Sequence, residues 1–126
     1  MRIERSTDPE HQRMTSRLRL IAEWDALAKK AKFRASALAQ LCRVSLRHLR
    51  RFILYRFGHT LRRWLDDQRL KHTVNLLSHG ATIGEITLVL GFKQDTYFYR
   101  FFKRMTGTSP RAYLRQRILT DFDVAV

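Results

Sequence analysis

The sequence predicts an all-α fold of seven helices, forming two similar small units joined by a long connector helix. Two observations predict it. Apolar residues recur at three- and four-residue spacing between well-formed cap and stop residues, and no stretch alternates as a strand would. In addition, Leu49-Arg50-Arg51-Phe52-Ile53 returns 49 residues later as Phe98-Tyr99-Arg100-Phe101-Phe102. Wound as a helix, either copy buries its first, fourth and fifth positions and holds an arginine near the opposite side.

Residues 1–14 are polar, carry Pro9 and lack an apolar period, so they read as a mobile leader. Leu20, Ile21, Trp24, Leu27, Ala28 and Ala31 then repeat at helical spacing, predicting a first helix capped by Thr15 or Ser16 and ending near Lys32. A second helix fits Ala35 to Cys42, with Leu38, Ala39 and Leu41 as its apolar residues. After Arg43-Val44, Ser45 caps a third helix, Leu46 to Phe57, which Gly58 stops. Thr60 caps the connector, which runs to about Ser78, ahead of His79-Gly80. At about 100° per residue, Leu61, Trp64, Leu65 and Gln68 share one side of it, and Leu70, Thr73, Val74 and Leu77 the other, as a helix serving two small cores requires. Thr82 caps Ile83 to Leu90, and Gly91-Phe92 closes it. Asp95 to Met105 follows with Phe98, Phe101, Phe102 and Met105 inward, and Gly107 ends it. Ser109-Pro110 starts a seventh helix reaching about Ile118. The resulting division is 15–58 for the first helix-turn-helix unit, 59–79 for the connector, 80–118 for the second unit and 119–126 for a tail.

Charge points to the partner. The formal net charge is +14, and between Ala26 and Leu65 there is no Asp or Glu, while Lys29, Lys30, Lys32, Arg34, Arg43, Arg47, Arg50, Arg51, Arg56, Arg62 and Arg63 all fall there. An ordinary solvated surface mixes signs, so a polyanion is the favoured partner, with nucleic acid ahead of an anionic membrane. The single cysteine, Cys42, sits on an inward position and reads as a small buried hydrophobe. His11, His48, His59, His72 and His79 show no metal-ligand spacing, and no phosphate loop, nucleophile elbow or paired carboxylates occur. Neither a cofactor, a metal nor an enzymatic site is expected, and no apolar stretch is long enough to cross a membrane.

Four segments carry a resemblance. Gly58 to Leu70 (GHTLRRWLDDQRL), Ile83 to Phe92 (IGEITLVLGF), Tyr97 to Arg104 (YFYRFFKR) and Gly107 to Tyr113 (GTSPRAY) together resemble the DNA-binding domain of AraC/XylS-type transcription regulators, over about residues 20–117. The resemblance implies seven helices in two homeodomain-like helix-turn-helix units, whose second helices enter successive major grooves of double-stranded DNA about 34 Å apart. It further implies a bacterial, cytoplasmic, nucleoid-associated protein that binds DNA as a monomer, with activation through RNA polymerase as the default. The sequence departs from the family pattern at Arg43, where a turn glycine is common, and at Thr73 and Thr87, where alanine is usual. Thr87 then needs a partner for its hydroxyl, such as a carbonyl one turn back.

Carried over position by position, base reading falls on Arg47, Arg50 and Arg51 in the first unit and on Asp95, Thr96, Tyr97 and Arg100 in the second. Arginine pairs bidentately with guanine O6 and N7. Phosphate contacts are expected from Arg43, His48, Arg56, Arg63, Lys93, Lys103 and Arg104. The rival reading is a basic module that coats nucleic acid or docks on acidic protein without sequence preference. Coating needs charge but not two registered heads.

Overall fold

The computed structural model describes residues 9–125, with side chains through Arg117. All regular structure in that span is helical: α1 (Pro9–Arg19), α2 (Trp24–Lys30), α3 (Ala35–Cys42), α4 (Leu46–Phe57), α5 (Leu61–Ser78), α6 (Ile83–Leu90), α7 (Asp95–Thr106) and α8 (Pro110–Ala125). These are eight helices among the described residues rather than the expected seven.

The extra helix comes from the first predicted one, which is broken at Leu20 to Glu23. Leu18 is fully buried, Trp24 nearly so, and Leu20, expected inside, is 84% exposed. In one continuous helix Leu18 and Trp24 would lie about 120° apart. The break lets both enter one core. α1 also begins inside the expected leader, because proline fits the first helical position and Glu10 pairs with Arg13 at 2.8 Å in the first turn. Thr15 and Ser16 lie within α1 and cap nothing. At the other end, α8 runs through the expected tail to Ala125, a stretch that has neither glycine nor proline to stop it.

Two compact units divide within α5, the first ending at Gln68 and the second starting at Arg69. In the first, Trp24 of α2 stacks on Phe52 and meets Phe57 and Trp64 edge-on, each at 5.9 Å, while Phe57 and Trp64 stack at 5.3 Å. These rings bind α4 to α2 and to the start of α5, and Leu49 and Ile53 of α4 are both 0% exposed. Between α2 and α3, Lys32 and Phe33 take left-handed φ values of 52° and 59°. That conformation costs about 1–2 kcal/mol per residue with a Cβ, and burying the Phe33 ring offsets it by about 1.5–3 kcal/mol.

In the second unit, where α6 packs on α7, Ile86 and Leu90 of α6 and Phe98, Phe101 and Phe102 of α7 are buried, with Tyr113 of α8 edge-on to Phe102 at 5.4 Å. The two threonines that stand where alanine is usual behave differently. Thr73, 0% exposed, donates its hydroxyl to the Arg69 carbonyl at 2.8 Å. Thr87, expected to do the same one turn back, has a buried Oγ1 with no hydrogen-bond partner among the described residues. Its own carbonyl is used by Phe92 N–H at 3.1 Å, at the end of α6.

Candidate nucleic-acid interface

The two short-helix pairs, α3–α4 and α6–α7, share one hydrogen-bond pattern at the turn that closes their first helix. Arg43 and Gly91 stand at the C-caps of α3 and α6, with left-handed φ of 60° and 79°. The following N–H, of Val44 or Phe92, returns to the carbonyl of Ala39 or Thr87, at 3.1 Å in both. Ser45 Oγ then accepts from His48 N at 3.1 Å and starts α4. In the second unit Thr82 and Glu85 form a reciprocal capping box on α6, with bonds of 2.8 and 3.1 Å. The second turn is one residue longer, so α7 repeats α4 at an offset of 49.

Both second helices bury the same frame: Leu49 and Ile53 in α4, Phe98 and Phe102 in α7, all 0% exposed. On the side away from this frame, at about 160–200° from Leu49, stand Arg47 and Arg51. The matching places on α7 hold Thr96 and Arg100. All four are exposed, as are Arg50, Asp95 and Tyr97. Arg50, Asp95 and Tyr97 lie on the flanks: Asp95 occupies the place of Leu46, and Tyr97 that of His48. Arg100 lies over the Tyr97 ring at 5.9 Å, which holds the guanidinium on the outer face. Arg47, Arg50 and Arg51 make no ion pair among the described residues, so three positive charges stand on one helix without internal neutralisation.

The expected phosphate contacts separate. Arg43, Arg56, Arg63, Lys93, Lys103 and Arg104 are exposed. Arg56 is turned about 140° around α4 from Arg51, its guanidinium over Phe57 at 5.0 Å. Arg63 is paired within its helix to Asp67 at 3.3 Å. His48 is corrected outright: it is buried, with Nε2 3.1 Å from Thr15 Oγ1 and its ring edge-on to His11 at 4.6 Å. Packing of α1 on that flank of α4 covers the imidazole.

Burial, then the nearby His11 and Arg51, lower the His48 pKa from the ordinary value of 6.5. The folded state therefore favours the neutral ring and binds fewer protons than the unfolded chain. The stability so gained is present above about pH 6.5 and is lost as pH falls from there through the lower folded value. A urea midpoint lower at pH 5.5 than at pH 7.5 is expected, with the difference reduced in His48→Gln. An equal difference in both proteins would place the effect elsewhere.

Leu54 and Tyr55, which were not among the expected site residues, are 54% and 81% exposed and prolong the outward face of α4 past Arg51. The 49-residue offset could have found them, since it pairs them with Lys103 and Arg104. The first unit therefore ends its outer face on an aliphatic and an aromatic side chain where the second ends on two cations.

A family model described as a helix-turn-helix domain matches residues 38–116. Over 80 residues the chain is 32% identical to the HTH-type transcriptional regulator RipA of Corynebacterium diphtheriae, covering 64% of this chain and 24% of that protein. It is 36% identical over 90 residues to the HTH-type transcriptional activator RhaR of Pectobacterium carotovorum, covering 71% and 31%. To the HTH-type transcriptional activator RhaS of Escherichia coli it is 33% identical over 99 residues, covering 76% and 35%. The chain thus spans between 24% and 35% of the length of these relatives. No helix among the described residues is long and apolar enough to cross a membrane.

Proposed function

This chain belongs to the AraC/XylS-type family of helix-turn-helix DNA-binding domains, and from that premise we propose that it regulates transcription by reading a specific double-stranded DNA site, with α4 and α7 in two adjacent major grooves. The carrying observation is the pair of registered helices, each with a buried apolar frame and arginine at the same outward place. A non-specific coat would need the charge alone. Arg47 and Arg51 read the first box, with Arg50 on its flank, and guanine is their natural target through O6 and N7. Thr96 and Arg100 read the second, flanked by Asp95 and Tyr97. Arg43, Arg56, Arg63, Lys93, Lys103 and Arg104 hold phosphates and set the register without carrying sequence information.

Two unlike heads on one chain suit an asymmetric site bound by a monomer. Activation beside RNA polymerase, in the bacterial cytoplasm, accords with relatives named as activators. No cofactor, metal or enzymatic step belongs to this reading. Selection of bound duplexes from a random pool tests it. The expected winners carry two unlike boxes with centres about 10–10.5 base pairs apart. One box alone would reduce α7 to a backbone clamp, and no enrichment would leave the non-specific coat as the function.

A further inference from the structure

The first helix-turn-helix carries at its turn a residue poorly suited to it. Arg43 adopts φ 60° and ψ 43°, where the equivalent turn in the second unit has Gly91. A Cβ is costly in that conformation, and glycine takes it freely. A contact from another helix holds Arg43 there. Arg17 of α1 donates from Nε at 3.2 Å and from Nη2 at 2.8 Å to the single carbonyl oxygen of Arg43. That oxygen lies at the C-terminal, negative end of α3, where a guanidinium is favoured. The same peptide group presents the Val44 N–H, which bonds the Ala39 carbonyl at 3.1 Å. Both polar atoms of one peptide are therefore occupied, and its plane determines the direction in which the chain leaves for Ser45 and α4.

A second contact of α1 falls on α4 itself, where Thr15 Oγ1 meets His48 Nε2 at 3.1 Å beside the His11 ring. His48 stands next to Arg47 and one turn before Arg51 and Phe52. One helix thus holds both the turn and the first turn of the helix that follows it. The family match begins at residue 38, so α1 lies wholly outside it.

We propose that α1 sets the aim of the first DNA-reading helix, and that Arg17 is its positioning residue, acting through the Arg43 carbonyl rather than by touching DNA. The inference rests on the proposed reading of DNA by α4 and adds a specificity determinant to it. In place of a turn glycine, the first unit uses an arginine whose unfavourable conformation is stabilised from a separate helix.

The test uses the full chain on its selected duplex and on a duplex with the α4 box scrambled, the α4 box being the one whose preference Arg51→Ala relaxes. Arg17→Ala is expected to weaken binding to the intact site by roughly tenfold, about what losing a charge-assisted hydrogen bond does. On the scrambled site it should change nothing, and the salt dependence should keep the wild-type slope, because no phosphate contact is lost. Arg17→Lys, with charge but no fork, should recover part of the loss. Arg43→Gly provides the second variant: in that background Arg17→Ala should cost much less, since glycine needs no support to stay left-handed. Equal loss on both duplexes, a slope reduced by about one contact, or an undiminished cost in the Arg43→Gly background would each overturn the proposal. Failure of the underlying reading looks different, because the wild-type protein would then show no preference for either box.

Discussion

Replacing Phe98 with alanine is expected to destabilise the second unit by about 3–5 kcal/mol, the usual cost of deleting a buried phenylalanine ring. Phe98 is 0% exposed, and its ring lies 5.8 Å from Phe102 and 6.4 Å from Phe92. Those neighbours are themselves fixed, Phe102 by Tyr113 and Phe92 by Phe101 at 5.6 Å, so little can move in to fill the space. A core this small supplies in total about 3–5 kcal/mol, so the loss matches the whole. The neighbouring Tyr97 is 46% exposed, and Tyr97→Ala should leave stability within about 0.5 kcal/mol of wild type. Urea unfolding followed by circular dichroism checks both. A Phe98→Ala midpoint close to that of wild type would mean that the ring cluster does not hold α7 in place. The functional consequence follows, since Asp95, Thr96 and Tyr97 occupy the turn just before Phe98 and lose their support with it.

What the sequence made legible was local chemistry. Ser45, Thr60, Thr82 and Ser109 cap helices through bonds of 3.1 Å each, and Gly58, Gly91 and Gly107 end them at φ of 76–79°. Such signals act within a few residues and need no knowledge of the rest of the chain. The repeat located both candidate readers for the same reason, because Leu49 and Ile53 on α4 and Phe98 and Phe102 on α7 can share only one inward face. Long-range packing was not legible. The break at Leu20 to Glu23 depends on which of Leu18 and Leu20 meets the core, and Phe33 is buried only through two left-handed residues that no local rule favours. His48 is the clearest case. It lies about 100° around α4 from Leu49, on a flank that is exposed or buried according to whether another helix covers it. α1 covers it, and α1 itself begins in a stretch whose composition suggested no structure. Arg17 was hidden likewise, since its partner is a backbone carbonyl, which no side-chain pattern announces.

Arg51→Ala should cost about 1–3 kcal/mol of binding to the selected site and relax the preference at one base position, without altering the second box. Arg51 differs from Arg56 and Arg63 in its surroundings. It is exposed on the outer face of α4, without an ion pair among the described residues, one turn from the Ser45-capped start that the His48 contact anchors. Arg56, by contrast, lies over Phe57, and Arg63 shares Asp67, so replacing either should weaken all sequences alike and by less. Arg100→Ala provides the matched comparison on α7. Its guanidinium already lies over Tyr97, and the helix around it offers Thr96 where α4 offers Arg47, so the second box should be less guanine-dependent than the first. Affinities of both variants on duplexes with each box scrambled in turn decide the matter. Arg51→Ala should lose its effect when the first box is scrambled, and Arg100→Ala when the second is. If both variants weaken every duplex by the same factor and reduce the salt slope, these arginines hold phosphate and the two helices clamp rather than read.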